Sequence, residues 1–312
     1  MKKISLIIPH YNGVEGVKKL LSTVPTKKGL FEVLIVDDNS PLASFEELER
    51  LLKRTAEDLD VHLYKNGSSN KGAGAARNVG LDHATGEWIL LADSDDYFSE
   101  NLLEILEKEL ESTEEVIFFP PTSIDTETNQ ISDRHDQLVS YLTRYTETPS
   151  RSNEMLLRAY FSPPWSKLIK RELIIREGIR FDEIIVSNDV MFSTKVGILA
   201  KDFKIVDEII YVVTRNSESL TSKPNREKFF IRVDTTVRRV EFMREQFGEE
   251  IKNITFNFYW MVRAARVQFG LRAALKTLLI FRKNDVPVIF PEKKLGKKLK
   301  VLFFTKKEKF LF

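Results

Sequence analysis

The sequence predicts an α/β protein built on a doubly wound sheet, followed by a helical, basic extension. Short β-branched runs alternate with amphipathic segments over residues 4–98, which is the pattern of strands joined by helices in a mostly parallel sheet. The apolar runs end in polar residues. From about residue 225, apolar and basic residues recur at helical spacing.

Four strands and three helices are expected in the first 98 residues. The strands are short apolar runs that stop at turn residues, and the helices carry their apolar residues on one face. The expected strands are residues 4–8, 33–36, 61–64 and 88–92, and the expected helices are residues 14–21, 44–58 and 72–84.

Polar residues follow three of these strands at the point where each strand ends. They are His10, Tyr11 and Asn12, then Asp37, Asp38 and Asn39, and finally Asp93, Ser94 and Asp95. The carboxyl ends of parallel strands share one edge of the sheet, which is where open α/β sheets bind ligands. The sequence therefore predicts a nucleotide site at this edge.

The acidic run after the fourth strand is a candidate metal site. Asp93 and Asp95 are separated by one residue, so both can face one cation in a curving loop. Mg²⁺ or Mn²⁺ commonly takes one or two carboxylates together with substrate phosphates and water. Asp96 is expected either to support this site or to replace Asp95. The alternative is a polar turn that caps the next helix, with Ser99 as the N-cap.

The glycine-rich segment at residues 71–80 invites a dinucleotide-binding interpretation, because Gly72 and Gly74 begin a GxG pattern. The pattern fails where the third glycine belongs, since Arg77 stands there. We expect instead that these glycines let the start of a helix approach a ligand, and that Arg77 supplies positive charge.

The amino-acid composition is that of a soluble protein and excludes some kinds of metal site. The chain has 312 residues, 42% hydrophobic and 30% charged, with a formal net charge of +2, as in ordinary soluble proteins. The absence of cysteine excludes disulfides and thiolate metal sites, and the four histidines lack zinc-site spacing. We find no signal-peptide pattern and no apolar stretch of about 18 residues, so a cytoplasmic protein is expected.

Several segments together resemble a known enzyme family. SLIIPHYNG, VLIVDDNS and GAGAARNVGLDHATGEWILLADSDDYF are similar to the nucleotide-sugar half of the inverting family 2 glycosyltransferases, whose A-type fold has a Rossmann-like, doubly wound mixed sheet. WSKL at 165–168, GIRFDE at 178–183 and SNDVMF at 187–192 resemble segments of the acceptor half. The resemblance covers about residues 3–220.

The resemblance implies a donor site at the strand ends. Tyr11 would stack on the base, and Asp38, with Asp37, would accept a hydrogen bond from the base edge. Asp93 would hold the ribose region, and Asp95 would hold the metal that bridges the two phosphates. The other residues of the expected donor site are Pro9 and Asn12 in the base pocket, Gly72, Ser94, and the arginines Arg77 and Arg215.

Arg77 and Arg215 are expected to share the negative charge that grows on the diphosphate leaving group. Surface ion pairs are the alternative for both side chains.

Asp189 is the expected catalytic base, which takes the proton from the acceptor hydroxyl as that hydroxyl attacks the sugar. In the family the preceding position is often Glu, whereas this chain has Asn188, so the resemblance does not carry over any metal-binding or orienting role of that glutamate. The alternative is that Asn188 and Asp189 cap the helix that follows. Trp165, Lys167 and Asn188 are the expected acceptor-side residues.

We expect a catalytic domain over residues 1–224, with a nucleotide-binding half (1–98) and an acceptor half (99–224). Residues 138–142 alternate like an edge strand, and residues 204–213 are a further expected strand. Residues 217–224 are expected to form either a lid over the donor or an ordinary surface loop.

Residues 225–312 form the expected helical extension, with helices at 229–247 and 254–282. Residues 291–312 carry eight lysines against two glutamates, which favours an anionic surface. Peripheral contact with the inner face of the plasma membrane is expected, and a solvated tail or an oligomer contact is the alternative. Nucleic acid is not an expected partner, because no binding motif accompanies the lysines.

The expected function is metal-dependent transfer of a sugar from a nucleotide-diphosphate donor, most simply a UDP-sugar, to a hydroxyl of a glycan or lipid-linked glycan. The expected pathway is cell-surface polysaccharide synthesis. A nucleotidyltransferase is the first alternative, although it usually has a glycine-rich basic segment after the first strand. A non-catalytic relative that binds nucleotide or serves as a scaffold is the second.

Overall fold

The computed structural model describes residues 3–215, 224–253 and 257–289. The chain divides into two compact units, residues 1–220 and 221–312, which we call the first and the second unit. The expected lid falls almost wholly, and the basic tail entirely, outside the described residues.

The first unit begins with strands and helices in strict alternation. The elements are β1 (Ile4–His10), α1 (Val14–Ser22), β2 (Phe31–Asp37), α2 (Leu42–Thr55), β3 (Val61–Lys65), α3 (Ala73–His83) and β4 (Trp88–Leu91). Strand β1 pairs in parallel with β2 and β4, and β2 pairs in parallel with β3. Every residue of β1, β2 and β4 is buried, because helices cover both faces of a parallel sheet.

The second half of this unit adds strands to both the main sheet and a small one. The elements are β5 (Tyr97–Phe98), α4 (Leu102–Glu109), β6 (Val116–Phe118), β7 (Thr122–Asp125), α5 (Asp136–Glu147), α6 (Arg151–Tyr160), β8 (Lys167–Lys170), α7 (Arg171–Arg176), α8 (Asn188–Leu199), β9 (Phe203–Ile205) and β10 (Tyr211–Arg215).

The main sheet has the order β3-β2-β1-β4-β8-β6-β9, and the small sheet has the order β5-β10-β7. Strand β8 runs antiparallel to both β4 and β6, so the sheet is mixed. The expected doubly wound mixed sheet is confirmed. A continuous core lies between the main sheet and its helices.

Three local expectations are wrong. Residues 138–142 lie in α5, where Leu138 and Leu142 are buried one turn apart; the same spacing fits both an alternating strand and a helix face. Residues 204–213 form no single strand, because β9 and β10 belong to different sheets. The acidic run does not cap the next helix either: β5 intervenes, and the N-cap of α4 is Asn101 rather than Ser99.

The second unit is helical in its described part. It contains α9 (Arg226–Phe247), a 3₁₀ helix (Gly248–Asn253), α10 (Tyr259–Phe269) and α11 (Leu271–Lys283). The side chain of Asn225 caps α9 by accepting from the Lys228 N–H at 2.9 Å. The single helix expected over residues 254–282 is divided at Gly270, and residues 254–256 are not described. Within the described ranges, no helix has the length and hydropathy to cross a bilayer.

Candidate active site

The acidic loop, residues 92–96, follows β4 at the carboxyl edge of the sheet, and β10 fixes it from the side. The Tyr211 hydroxyl donates to Asp96 Oδ2 at 2.9 Å and accepts from the Asp93 N–H at 2.8 Å. The Thr214 N–H donates to Asp96 Oδ1 at 2.7 Å, and the Thr214 hydroxyl donates to the Asp95 carbonyl at 2.9 Å. These four hydrogen bonds fix the backbone of the loop.

Asp96 is the buried anchor of the loop. Only 3% of the residue is exposed, and both carboxyl oxygens accept hydrogen bonds from β10. Burial and the nearby Asp93 and Asp95 carboxylates raise its pKa to about 8, despite the hydrogen bonds from Thr214 and Tyr211. This geometry positions the loop, and ligation of a metal by Asp96 stays a prediction.

Asp95 is exposed, whereas Asp93 is half-buried and Asp96 is buried. Partial desolvation and the Asp93 carboxylate raise the pKa of Asp95, while the Arg134 guanidinium lowers it. Clustered carboxylates of this kind are stabilised by a divalent cation.

The donor set fits Mg²⁺ or Mn²⁺ with substrate oxygens completing the shell. No cluster of three or more His, Asp or Glu side chains that would by itself enclose a metal occurs in the described ranges.

Gly16 of α1 allows the acidic loop to lie close to the helix. A Cβ at this position would be 2.5 Å from the Ser94 carbonyl oxygen and 3.4 Å from the Asp95 Cα. Because 2.5 Å is far below a normal contact distance, any side chain here would displace the loop. Ser94, a predicted donor-binding residue, therefore contacts α1 through its backbone.

Arg77 connects the acidic loop to the start of α8. Its guanidinium bonds Asp93 Oδ1 on one side and donates to Asn188 Oδ1 at 2.9 Å on the other. The guanidinium carbon lies 5.2 Å from the centroid of the Phe181 ring. The residue is buried and its Nε has no hydrogen-bond partner. The alternative of a surface ion pair is therefore wrong for Arg77, which instead bridges the two halves of the site.

Asp189 lies in the first turn of α8, opposite the acidic loop. Desolvation and the Asp93 carboxylate raise its pKa, and the Arg77 and Lys167 charges counter this rise. The N-cap of α8 is Ser187, and no side chain caps the helix. The alternative capping role of Asn188 and Asp189 is therefore not what the structure shows. A carboxyl with a raised pKa beside two cations is suited to accept a proton near neutral pH.

The two acceptor-side residues of the WSKL segment are buried in the wall of the site. The Lys167 ammonium donates to the carbonyls of Phe161 at 2.6 Å and Pro163 at 2.7 Å, and burial lowers its pKa to about 7 against the effect of Asp189. Trp165 stacks on Tyr211, with ring centroids 5.1 Å apart. Both side chains thus support the site from inside, and their contact with an acceptor stays a prediction.

Asp37, the last residue of β2, is hydrogen-bonded to His10, the last residue of β1. The Gly13 N–H donates to His10 Nε2 at 3.0 Å, so the ring proton is on Nδ1 and is donated to Asp37 Oδ1 at 2.9 Å. Asp37 Oδ2 accepts from the Ser40 N–H at 3.0 Å. With both oxygens engaged and the residue buried, Asp37 fixes the turn that carries Tyr11.

Asp38 fixes the glycine-rich segment. Its Oδ1 accepts from Asn66 Nδ2 at 2.7 Å, and its Oδ2 accepts from the Gly72 N–H at 2.6 Å. The hydrogen bond that Asp38 would accept from the base edge stays a prediction. The carboxylate holds Gly72, another predicted donor-binding residue, directly before α3.

Tyr11 is available for the predicted stacking. It is 62% exposed and follows a strand in which Pro9 is buried. Asn12 has a left-handed backbone (φ 49°), and its N–H donates to the Ser40 hydroxyl at 2.9 Å. A large aromatic ring presented to solvent on a fixed turn is suited to stack on a base.

Arg215 ends β10 and is exposed, with Nη1 3.1 Å from Asp133 Oδ1, so its diphosphate contact stays a prediction. Arg134, which the sequence analysis missed, donates to the Thr214 carbonyl at 2.7 Å and is the cation that acts on Asp95. It stands in an otherwise polar segment without a motif, so the sequence offered no signal for it.

Tyr211 and Thr214 were also missed. Their signal was the presence of two hydroxyl side chains in the otherwise apolar run YVVT at 211–214, of which only residues 211–213 fall in the expected strand 204–213. His10 was noticed only as a polar residue at a strand end.

Comparison with known proteins identifies the class of enzyme. The doubly wound mixed sheet is shared with solved glycosyltransferases. The structure of Staphylococcus aureus TarS residues 1–349 in complex with UDP-GlcNAc superimposes with a TM-score of 0.64 at 19% identity, over 90% of this chain and 80% of that one. The mannosyltransferase PcManGT of Pyrobaculum calidifontis, in complex with GDP-Man and Mn²⁺, has a TM-score of 0.53 at 17% identity, over 96% of this chain and 78% of that one. The fold is that of the A-type glycosyltransferases.

The family follows from the sequence match. The family model described as Glycosyl transferase family 2 matches residues 5–177, more than half of the chain. The chain belongs to this family. A curated relative, the uncharacterized glycosyltransferase EpsJ of Bacillus subtilis, is 29% identical over 226 residues, which is 71% of this chain and 63% of the relative. The match thus spans less than two thirds of that relative's length.

Proposed function

We propose that this enzyme is an inverting, metal-dependent glycosyltransferase that moves a sugar from a nucleotide-diphosphate donor to a hydroxyl of a glycan or lipid-linked glycan. The observation that carries the proposal is the bridge through Arg77, which joins Asp93 of the acidic loop to the start of α8. Donor-side acids and the half-buried carboxyl of Asp189 would thereby belong to a single site.

The donor would bind across the carboxyl edge of the sheet. Tyr11 would stack on the base, and the turn fixed by His10 and Asp37 would hold that ring in place. Asp93 would contact the ribose region. A UDP-sugar is the favoured donor, because the TarS structure that shares this fold contains UDP-GlcNAc.

Asp95 is the residue that would hold Mg²⁺ or Mn²⁺, with Asp96 fixing the loop behind it. When bound, such an ion neutralises the charge of the diphosphate leaving group. The PcManGT structure of the same fold contains Mn²⁺. Arg134 and Arg215, which are exposed on β10 and the adjacent segment, would contribute further positive charge to the same end of the donor.

Asp189 would act as the base. Its carboxylate would take the proton of the acceptor hydroxyl while that oxygen attacks the anomeric carbon and the bond to the diphosphate breaks. Arg77 and Lys167 favour the ionised form, and the wall formed by Trp165 and Lys167 would orient the acceptor. A single displacement of this kind inverts the anomeric configuration.

The acceptor belongs to cell-surface polysaccharide synthesis in this proposal. The basic tail would place the enzyme peripherally on the cytoplasmic face of the membrane, where lipid-linked acceptors are found. The tail lies outside the described residues. A variant ending at residue 290 should bind anionic vesicles less well than the full chain, and unchanged binding would remove this part of the proposal.

Thermal unfolding with UDP, GDP, dTDP and CDP, each with and without Mn²⁺, tests the donor site. A nucleotide at about 100 times its Kd stabilises the fold by about 2.7 kcal/mol. We expect stabilisation by UDP that requires both Mn²⁺ and Asp95, so that Asp95→Ala loses it while the exposed control Asp58→Ala retains it. Asp189→Ala should retain it too, yet transfer sugar about 10²- to 10⁴-fold more slowly.

Two results would contradict the proposal. If none of the four nucleotides stabilised the protein, the strand-end acids would be structural turns. If Asp189→Ala left turnover unchanged, or abolished nucleotide binding as well, the assignment of the base would be wrong.

A further inference from the structure

Helix α11 of the second unit exposes a row of leucines. Leu271, Leu275 and Leu279 are 62%, 50% and 65% exposed, and they recur every four residues. At about 100° per residue they fall within an arc of about 80° on the helix surface. We call this row the leucine face.

The opposite side of α11 is the side that packs. Ala273, Ala274, Thr277 and Phe281 are buried, and Phe281 lies 6.0 Å from Phe258, measured between ring centroids. Among the described residues of the second unit, the leucine face is therefore not part of the core, and no packing contact there explains it. Exposed apolar rows of this kind mark interaction surfaces.

Basic side chains border one edge of the leucine face, and the exposed Arg282 falls within its arc by helical spacing. Arg272 and Lys283 lie next to it by helical spacing and are exposed. Lys276 lies further around the helix, with its ammonium 4.3 Å from the Phe230 ring of α9. Over residues 259–283, which form α10 and α11, the sequence has six basic and no acidic residues. Helix α10 also exposes Trp260 and Val267.

We propose that the leucine face lies in the headgroup layer of an anionic lipid bilayer, with α11 parallel to the membrane plane. Leucines would enter the boundary of the acyl chains, and the adjacent cations would pair with lipid phosphates. An apolar row bordered by Lys and Arg, without acids, is the composition of an interfacial helix. Each cation near an anionic leaflet adds to the attraction.

Charge also argues against a second copy as the occupant. Two leucine faces packed against each other would bring Arg272 and Lys283 of both chains together without an acidic partner on α10 or α11. Like charges at close range oppose such pairing. An anionic bilayer would bury the leucines at the acyl-chain boundary and place lipid phosphates beside the cations.

This surface belongs to the second unit, and the inference does not depend on glycosyl transfer. It places a membrane contact on described residues, separate from the basic tail.

Vesicle co-sedimentation of the full-length protein tests the proposal, with phosphatidylcholine vesicles compared with vesicles that also contain phosphatidylglycerol. We expect binding to the anionic vesicles. The double variant Leu275→Ser/Leu279→Ser should weaken it at least tenfold, roughly the loss of two buried aliphatic side chains. Arg272→Gln/Lys283→Gln should weaken it about tenfold or more.

The matched control is Leu42→Ser, which replaces an equally exposed leucine of α2 in the first unit (71% exposed) and should bind like wild type. Because the leucine variants alter exposed positions, they should unfold at the wild-type temperature and keep stabilisation by nucleotide. This second readout separates the membrane surface from the donor site.

Three outcomes would overturn the proposal. The first is wild-type binding by the leucine double variant, and the second is equal binding of wild type to neutral and anionic vesicles. The third is a wild-type dimer in sedimentation velocity that the leucine variant loses, since the face would then be an interface between copies.

Discussion

Asn188 stands beside the expected base and changes the charge around it. Its side-chain oxygen accepts from Arg77, the same guanidinium whose charge favours ionised Asp189. A neutral partner leaves that charge available to Asp93 and Asp189. A carboxylate at this position would compete for it.

Asn188→Glu should therefore move the acidic limb of the kcat profile to higher pH. The added carboxylate would raise the pKa of Asp189 further. A base works only in its ionised form, so activity at low pH falls once pH drops below that pKa. The measurement is kcat against pH for wild type and variant at saturating donor. Asn188→Gln is the neutral control and should leave the limb in place; an equal shift in both variants would contradict this account.

Other residues show where sequence reasoning stops. The polar strand ends were predicted because carboxyl ends of parallel strands share one edge, whatever the details of packing. The partners of these residues were not predictable. Asp37 and Asp38 both bind protein groups, and Lys167 is directed at carbonyls within its own segment, because hydrogen-bond partners depend on loop paths that spacing does not encode.

Helices α3 and α8 meet at a contact that only glycine permits. A Cβ on Gly74 would lie 2.2 Å from the Asp182 carbonyl oxygen and 2.9 Å from the Asn188 Cβ. The Asp182 N–H also donates to the Asn188 carbonyl at 3.1 Å, so the segment before α8 and its first residue form one structure. Gly74 thus sets the position of the helix that carries Asp189.

Gly74→Ala should lower both stability and turnover. Alanine is favoured over glycine in a helix by about 1 kcal/mol, but overpacking against backbone commonly costs about 1–3 kcal/mol. The steric cost should therefore exceed the gain in helix propensity, and the variant should be less stable. The midpoint of thermal unfolding and kcat measure the two effects. Gly67→Ala, where a Cβ meets nothing within 4 Å, should change neither. A more stable, fully active Gly74→Ala enzyme would show that α8 adjusts freely.

Elements with strong periodicity were predicted well, and short ones were not. Strands β1, β2 and β4 are buried runs made mostly of apolar residues, which few other structures accommodate. The apolar pattern of residues 138–142 fits the period of a strand and that of a helix equally. The segment is helical because Leu138 and Leu142 pack into the core in that form. The division of residues 204–213 between two sheets depends on tertiary pairing, which no local pattern contains.

At the scale of the whole first unit, one buried carboxylate ties the central strands together. Glu32 of β2 accepts from the Thr85 N–H at 2.6 Å, the Thr85 hydroxyl at 2.7 Å and the Gly86 N–H at 3.0 Å. It also accepts from the Ser5 hydroxyl of β1. The segment that leads into β4 is thereby attached to β2 through Glu32 and to β1 through Ser5.

Glu32→Gln should destabilise the fold by about 1–3 kcal/mol at neutral pH, as expected for a buried carboxylate that loses charge-assisted bonds. Burial alone would raise the pKa of Glu32, but the bonds from Ser5, Thr85 and Gly86 outweigh it, and the pKa is lowered below 4.5. The carboxylate's contribution is thus present above pH 4.5 and is lost as pH falls through the lowered pKa.

Urea midpoints measured from pH 7 downwards should therefore differ most between wild type and Glu32→Gln at neutral pH. They should converge in acid. Glu46→Gln, an exposed glutamate on α2, should match wild type throughout. If the urea midpoints of wild type and Glu32→Gln differed by the same amount at every pH, the variant would lose stability through altered packing rather than through the lost charge.

The Arg77 bridge has a consequence for how the two substrates bind. One guanidinium contacts Asp93 of the proposed donor side and Asn188 of the proposed acceptor side, so a ligand that draws on either contact should alter the other. Thermodynamic linkage then requires reciprocity: the factor by which donor changes the acceptor's Kd equals the factor by which acceptor changes the donor's. Donor and acceptor should bind cooperatively, with Arg77→Lys reducing both factors together.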